Sequence, residues 1–342
     1  MWRFRLGTNL SLAVLTLLPF AGFGRDLSGV QTFALTETKG LVERNVKLES
    51  VEYQGRKAVR LTKDLGGEGF ALLPGTDFQD GTIEADLALK VTTPPGVRMP
   101  GFIGIAFRAR PDASRYELFY LRPGNSQSDD QGMRNHSVQY SSEPDFSWYT
   151  LRRAWPGVYE SYAELQLEAW THVKIEVAGR SAKLYLNGSA KPSLVVDGLK
   201  GEDLRGAVAL WGDQGEESYF SNLRITPAAA QPVKNGAEAS GVWDVKLKGD
   251  TGVLQGLLKL SRDGNKLTGT WSGELGDDRP VVGTWRDGYV ELSFTGNWPK
   301  ERMGAPGEVT VSLAGWIDGA SAKGRMKVEG RTDGPWTATR KQ

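Results

Sequence analysis

The stretch Gly81–Val91, GTIEADLALKV, decides the fold. Its Ile83, Ala85, Leu87, Leu89 and Val91 alternate with Glu84, Asp86 and Lys90. A period of two sends the first set to one face and the acids and lysine to the other or to its end, as in a half-buried strand. The same reading extends outward to FIGIAFRAR (102–110), RYELFYLR (115–122), THVKIEVAG (171–179), AKLYLNG (182–188) and GAVALWG (206–212). Asn187-Gly188 is a pair suited to a two-residue hairpin turn. Many such strands, with no helical crossovers between them, predict antiparallel sheets packed face to face.

Composition agrees. Glycine supplies 43 of 342 residues, and stretches of helical period are nearly absent, so the chain reads as all-β. The formal charge is +1; loss of residues 1–24, which carry Arg3 and Arg5 and no acid, makes it −1. With neither a basic excess nor a basic run, nucleic acid is not an expected partner. The absence of cysteine excludes disulfides, thiolate metal sites, a cysteine nucleophile and a lipid-modified cysteine. The opening residues place Arg3 and Arg5 before an apolar run from Leu10 to Phe23, broken by Pro19 and followed by Gly24. They read as a signal peptide over 1–24, which predicts a periplasmic or secreted protein. An exported chain without disulfides fits a bacterial origin, and no later segment reaches membrane-spanning length.

Residues Thr226–Gly241, TPAAAQPVKNGAEASG, are rich in Ala, Pro and Gly and separate two strand-rich regions. The expected division is a sandwich over 25–226, a linker over 227–241 and a smaller unit over 242–342. In that last part GVWDVKLKG, GLLKLSRDGNKLTGTWSGEL, PVVGTWRDGYVELSFTG and EVTVSLAGWIDGASAKGRMKVEG are short alternating strands. Asp263-Gly264, Asp287-Gly288 and Asp318-Gly319 supply hairpin turns. It resembles the small up-and-down barrels of the lipocalin and avidin type. Trp243, Trp271, Trp285, Trp316 and Trp336 either plug such a barrel or line a ligand cavity; plugging is the expectation.

In the first region AWTHVKIEVAGRSAKLYLNGS (169–189), followed by DLRGAVALWGDQGEESYFSNLRI (203–225), resembles the C-terminal half of the concanavalin A-like lectin and glucanase jelly roll, above all its laminin G-like and bacterial modules. The similarity covers roughly Phe78 to Thr226 and implies a jelly-roll sandwich. That fold hosts lectins, glycosidases, lyases and adhesion modules, so it implies no single activity.

Laminarinase-type glucanases of this superfamily carry three acids on one strand. Here Glu84-Ala85-Asp86 is followed by Ala88 and Leu89 where the third acid would stand, so the pair reads as a solvated outer face. Glu143-Pro144-Asp145 has the same spacing, but proline suits a turn. With Asp129 and Asp130 it could offer oxygens to calcium, the one metal the sequence leaves open, although no calcium-loop spacing is present. Two histidines make a histidine zinc site improbable. His172 has the opposite parity from Val173, Ile175 and Val177 and is expected at the surface.

More than forty residues separate RYELFYLRP from Trp170, too long for an ordinary connection, and HSVQYS within them reads as a further strand. This segment concentrates Phe146, Trp148, Tyr149, Trp155, Tyr159 and Tyr162 beside Arg152, Arg153 and Glu160. Aromatic rings stack on sugar C–H faces while planar polar groups take hydroxyls; the same residue types also suit protein interfaces or an added apolar layer. The candidate ligand-binding residues are Arg122, Asn125, Arg134, Gln139, Tyr140 and Trp148, with His136 as base and Glu160 as acid if the segment is catalytic. The first reading is a secreted carbohydrate-binding protein recognising a cell-surface or other glycan. The alternatives are a glycoside hydrolase or lyase working through 120–162, and an adhesion module without a small ligand.

Overall fold

The computed structural model describes residues 29–341 except 64, 65, 67, 68, 93–98, 232–237, 251, 301, 303 and 304. The expected signal peptide and the middle of the expected linker lie outside the described residues.

Gly81–Val91 is the strand its alternation predicts, with Ile83, Ala85, Leu87 and Leu89 all buried. It sits inside an eight-stranded antiparallel sheet. In spatial order this runs Leu194–Asp197, Ser181–Leu186, Thr171–Ala178, Gly81–Val91, Glu216–Pro227, Arg56–Thr62 and Lys47–Tyr53, with Gln31–Phe33 also paired to Glu216–Pro227. A second, seven-stranded sheet runs Glu160–Ser161, Val138–Glu143, Tyr116–Leu121, Ile103–Ala109, Ala207–Gly212, Phe70–Leu72 and Val42–Arg44. One core lies between the sheets, built from Ile83, Leu87, Ile105, Phe107, Phe119, Tyr140, Ile175 and Phe220 among others. This is the two-layer sandwich that the resemblance implies. Asn187 (φ 50°) and Gly188 (φ 72°) form a tight left-handed turn closed by the Ser189 N–H donating to the Leu186 carbonyl, but the expected two-residue hairpin is not formed: the next strand begins only at Leu194, so the turn opens a loop over 187–193.

Gly241–Gly249 to Thr332–Arg340 form a closed eight-stranded barrel in which each strand pairs with the next and the last with the first. Asp287 (φ 52°) and Gly288 (φ 98°) form one hairpin turn as predicted. At the other two the strands run on through Asp263 and Asp318, so the turns fall one residue later, on Gly264-Asn265 and Gly319-Ala320. Trp243, Trp271 and Trp336 fill the interior with Leu258, Phe294 and Trp298, and Trp285 packs against them, its ring capped by Arg262 at 3.3 Å. Trp316 departs from the expected plug. It has the opposite parity from the core residues Val311, Leu313 and Ile317, and it is nonetheless buried. Its ring lies under the Arg180 guanidinium at 4.0 Å and edge-on to Tyr289, so it fills the seam between barrel and sandwich.

That seam is charged. Arg180 reaches Asp318 at 2.7 Å, Arg325 reaches Asp145 at 2.9 Å, Arg286 lies 3.7 Å from both Glu202 and Asp203, and Arg153 pairs with Asp250. At the same seam Lys200 points its ammonium at three rings, Trp155 (3.9 Å), Tyr159 (5.3 Å) and Phe146 (5.8 Å). No helix among the described residues is long and apolar enough to cross a membrane.

Candidate functional site

The long central segment folds into more structure than one strand. Pro123–Ser126 and Gln131–Arg134 are single helical turns, Val138–Glu143 extends the seven-stranded sheet, Trp148–Ala154 is a helix, and Glu160–Ser161 pairs as the outermost strand of that sheet. Ser147 starts the Trp148–Ala154 helix by accepting a hydrogen bond from the Thr150 N–H. The helical spacing then sets Trp148 beside Arg152 and Tyr149 beside Arg153, four residues apart on one face.

Five of the eight residues singled out from the sequence meet here. Glu160 is buried, and both its oxygens accept from Arg152, at 3.0 and 2.6 Å. His136 Nδ1 lies 2.9 Å from Glu160 Oε2, close enough for electrostatic pairing but without hydrogen-bond alignment. Arg122 donates to the Tyr120 hydroxyl at 2.6 Å and to the His136 carbonyl at 3.4 Å, and Asn125 donates to the same carbonyl at 3.5 Å. The Arg122 guanidinium stands between the rings of Tyr120 (5.0 Å), Phe102 (5.5 Å) and Trp148 (5.7 Å). Arg152 covers Trp148 from 4.8 Å. The indole is thus held by two cations while 42% of its surface stays exposed. Tyr149, Tyr162, Val158 and Met133 are exposed in the same segment.

Burial lowers the proton affinity of His136 from its ordinary value, the carboxylate of Glu160 opposing and the guanidinium groups of Arg152 and Arg122 reinforcing the shift. Both oxygens of Glu160 are engaged by the Arg152 guanidinium, and Oε2 also faces His136 Nδ1.

Three of the eight do not join. Tyr140 is fully buried between the sheets, its hydroxyl donating to Glu117 at 2.5 Å and accepting from the Lys200 N–H. Gln139 is fully buried and donates to the carbonyls of Tyr140 and Tyr159. Arg134 donates to the carbonyls of Ser128 and Asp129 and so braces the turn before it. Arg152 was missed as a site residue, although a capping serine followed by aromatic and arginine residues four apart is a readable helix signal.

Two of the residues considered for calcium are engaged otherwise. Asp130 caps the Gln131–Arg134 turn, and Asp145 takes Arg115 and Arg325. Among the described residues no group of three or more His, Asp or Glu gathers as a metal site would. Asp86, on the outer face of the eight-stranded sheet, accepts from Arg56 and Asn222 and contacts His172 Nδ1 at 2.9 Å.

No family model matches the chain, and no curated protein matches it. Among solved structures, the carbohydrate-binding module CBM66 of Bacillus subtilis is similar over 54% of this chain and 95% of its own, at 18% identity and a TM-score of 0.38. The Bacillus licheniformis beta-glucanase is similar over 58% and 99%, at 13% identity and a TM-score of 0.36. Domain 4 of the arabinanase AbnA of Geobacillus stearothermophilus, solved with arabinotriose, is similar over 59% and 84%, at 15% identity and a TM-score of 0.31. Likenesses this loose lend no activity to the chain.

Proposed function

We propose that the protein is an exported carbohydrate-binding protein whose aromatic platform on the central segment of the sandwich takes a glycan. The observation that carries this is the Trp148 ring, exposed by 42% and fixed by Arg122 and Arg152. A rigid ring stacks on the C–H face of a sugar at little cost in conformational freedom, and the guanidinium groups of Arg122 and Arg152 beside it are donors for hydroxyl groups. Periplasmic or secreted residence rests on the composition of residues 1–24.

A second reading, glycoside hydrolase or lyase, draws on the His136–Glu160 contact. An imidazole whose proton affinity is lowered by burial and that lies 2.9 Å from a carboxylate suits a general base. Binding and turnover assays over one polysaccharide panel separate the two. Binding without turnover that is lost in Trp148→Ala and kept in His136→Gln supports the platform; turnover abolished by His136→Gln with binding intact supports the enzyme. Absence of both leaves an adhesion module.

A further inference from the structure

After Glu160–Ser161 the chain crosses from one sheet to the other through residues 162–170 without pairing as a strand. The Ser126 hydroxyl donates to the Ala163 carbonyl and accepts from the Leu165 N–H, both at 2.8 Å, and the Glu168 N–H donates to Leu89 at 2.8 Å. Between this crossover and the loop of residues 187–193 runs an open trough of about 570 Å³. That volume is within the roughly 300–1,000 Å³ of small-molecule sites. Its lining mixes apolar Leu165, Leu186 and Trp170 with polar Gln166, Asn187 and Ser193.

Two polar groups of this trough, Asn187 and Ser189, are held in place by backbone contacts. Asn187 accepts the His172 N–H at 2.9 Å through Oδ1, which fixes the amide and leaves its NH₂ for something else. Ser189 is set by its own loop, donating to the Lys191 carbonyl and accepting from the Lys191 N–H. Trp170 at the end of the trough is braced by Arg56 at 5.2 Å and by Tyr53 edge-on at 6.1 Å. Among the described residues of the lining, Glu164 is the only one with an ionisable side chain. Amides and hydroxyls interleaved with the small apolar faces of Leu165 and Leu186 around one indole match a polyhydroxylated chain, which has both C–H faces and hydroxyl groups to offer.

We infer that the trough between residues 162–170 and 187–193 is a second binding site, for a neutral oligosaccharide, separate from the Trp148 platform. None of the platform residues lines it, so the two sites are independent in composition and in test. An open trough accepts the interior of a chain as well as its end, and two sites on one sandwich would let the protein grip one polymer twice, raising avidity without a tighter single contact.

The experiment titrates the intact protein with cellotetraose, laminaritetraose, mannotetraose and arabinotetraose and follows indole and side-chain amide signals by NMR. At least one sugar is expected to move the Trp170 indole and the Gln166 and Asn187 amide signals together. Asn187→Gly tolerates the left-handed backbone there (φ 50°) while removing the amide, and Ser193→Trp fills the trough. Each is expected to weaken that binding at least tenfold, while Trp148→Ala leaves it unchanged. The inference is overturned if no sugar moves these signals, if both variants bind as the parent does, if only a peptide ligand occupies the trough, or if Trp148→Ala abolishes the same binding event. Loss at Trp148 with the trough intact counts against neither the trough nor its chemistry and bears on the platform alone.

Discussion

Asp145 and Arg325 stand 180 positions apart in the chain and 2.9 Å apart in space. The other oxygen of Asp145 takes Arg115 of the sandwich at 2.5 Å, so one carboxylate ties the bend just before the Tyr116–Leu121 strand, the loop ahead of the Trp148–Ala154 helix and a barrel strand together. Asp145→Asn leaves two half-buried guanidinium groups facing a neutral amide. It is expected to cost about 1–2 kcal/mol by denaturant unfolding. A double-mutant cycle with Arg325→Met should return a coupling of about 1 kcal/mol; additive effects would deny the barrel any hold on this loop.

His136 provides an internal titration, since the chain has only one other histidine, His172, and His172→Gln assigns the signals. The His136 imidazole should titrate below its ordinary value because burial disfavours its charge. The fold therefore binds this proton less readily than the unfolded chain, and stability from this group is lost as pH falls below about 6.5. Glu160→Gln, which removes the opposing anion, should push the midpoint lower still; an upward shift would contradict the geometry.

Glu216 is buried, accepts the Phe102 N–H at 2.7 Å, and is pushed by burial up to about 8. A carboxyl raised in the fold stabilises fully below its unfolded value near 4.3, and that contribution is lost as pH rises through about 8. Glu216→Gln should match the parent near pH 5 and exceed it by about 2–4 kcal/mol above pH 8, read from thermal or denaturant melts across pH. Equal pH slopes in the two proteins would refute this.

Lys200 is driven the other way, down to about 7, by burial reinforced by Lys323 and Arg180 and opposed by Asp318 and Glu117; the three rings around it also favour the charge. Between about 7 and 10.4 the unfolded chain holds a proton that the fold does not, so parent stability climbs with pH there. Lys200→Met should therefore gain about 1–3 kcal/mol below pH 7 and nothing above pH 10.5. Circular dichroism melts at the two extremes provide the check.

In the barrel, a β-carbon on Gly256 would meet the Trp271 ring at 2.3 Å. Gly256→Ala should cost about 1–3 kcal/mol and Trp271→Ala about 3–5 kcal/mol, both measured by chemical denaturation. A neutral Gly256→Ala would mean the ring moves freely, against a plugged interior.

The strands were legible because alternation is local: Ile83 to Leu89 show their inner face without reference to any partner. Tyr140 and Gln139 were misread for the opposite reason. Their burial depends on the facing sheet and on Tyr159 and Lys200, far along the chain, and nothing in HSVQYS announces it. His136, Trp148 and Glu160 were found by crowding in sequence, whereas Arg152 needed the short helix that a strand-period reading passes over. Trp316 has a parity opposite to Leu313 and Ile317, but only the presence of Arg180 explains why an outward indole is buried.

The order of strands in the two sheets has a last consequence. Among the described residues the terminal ribbons are only two to seven residues long: Glu160–Ser161, Gln31–Phe33, Val42–Arg44, Leu194–Asp197 and Lys47–Tyr53. The longest of them bears Lys47, Glu49 and Glu52, and the barrel, being closed, offers no terminal ribbon at all. A chain so rich in β-structure thus exposes little unpaired backbone on which another copy could template, a protection against amyloid-like stacking that is built into the topology itself.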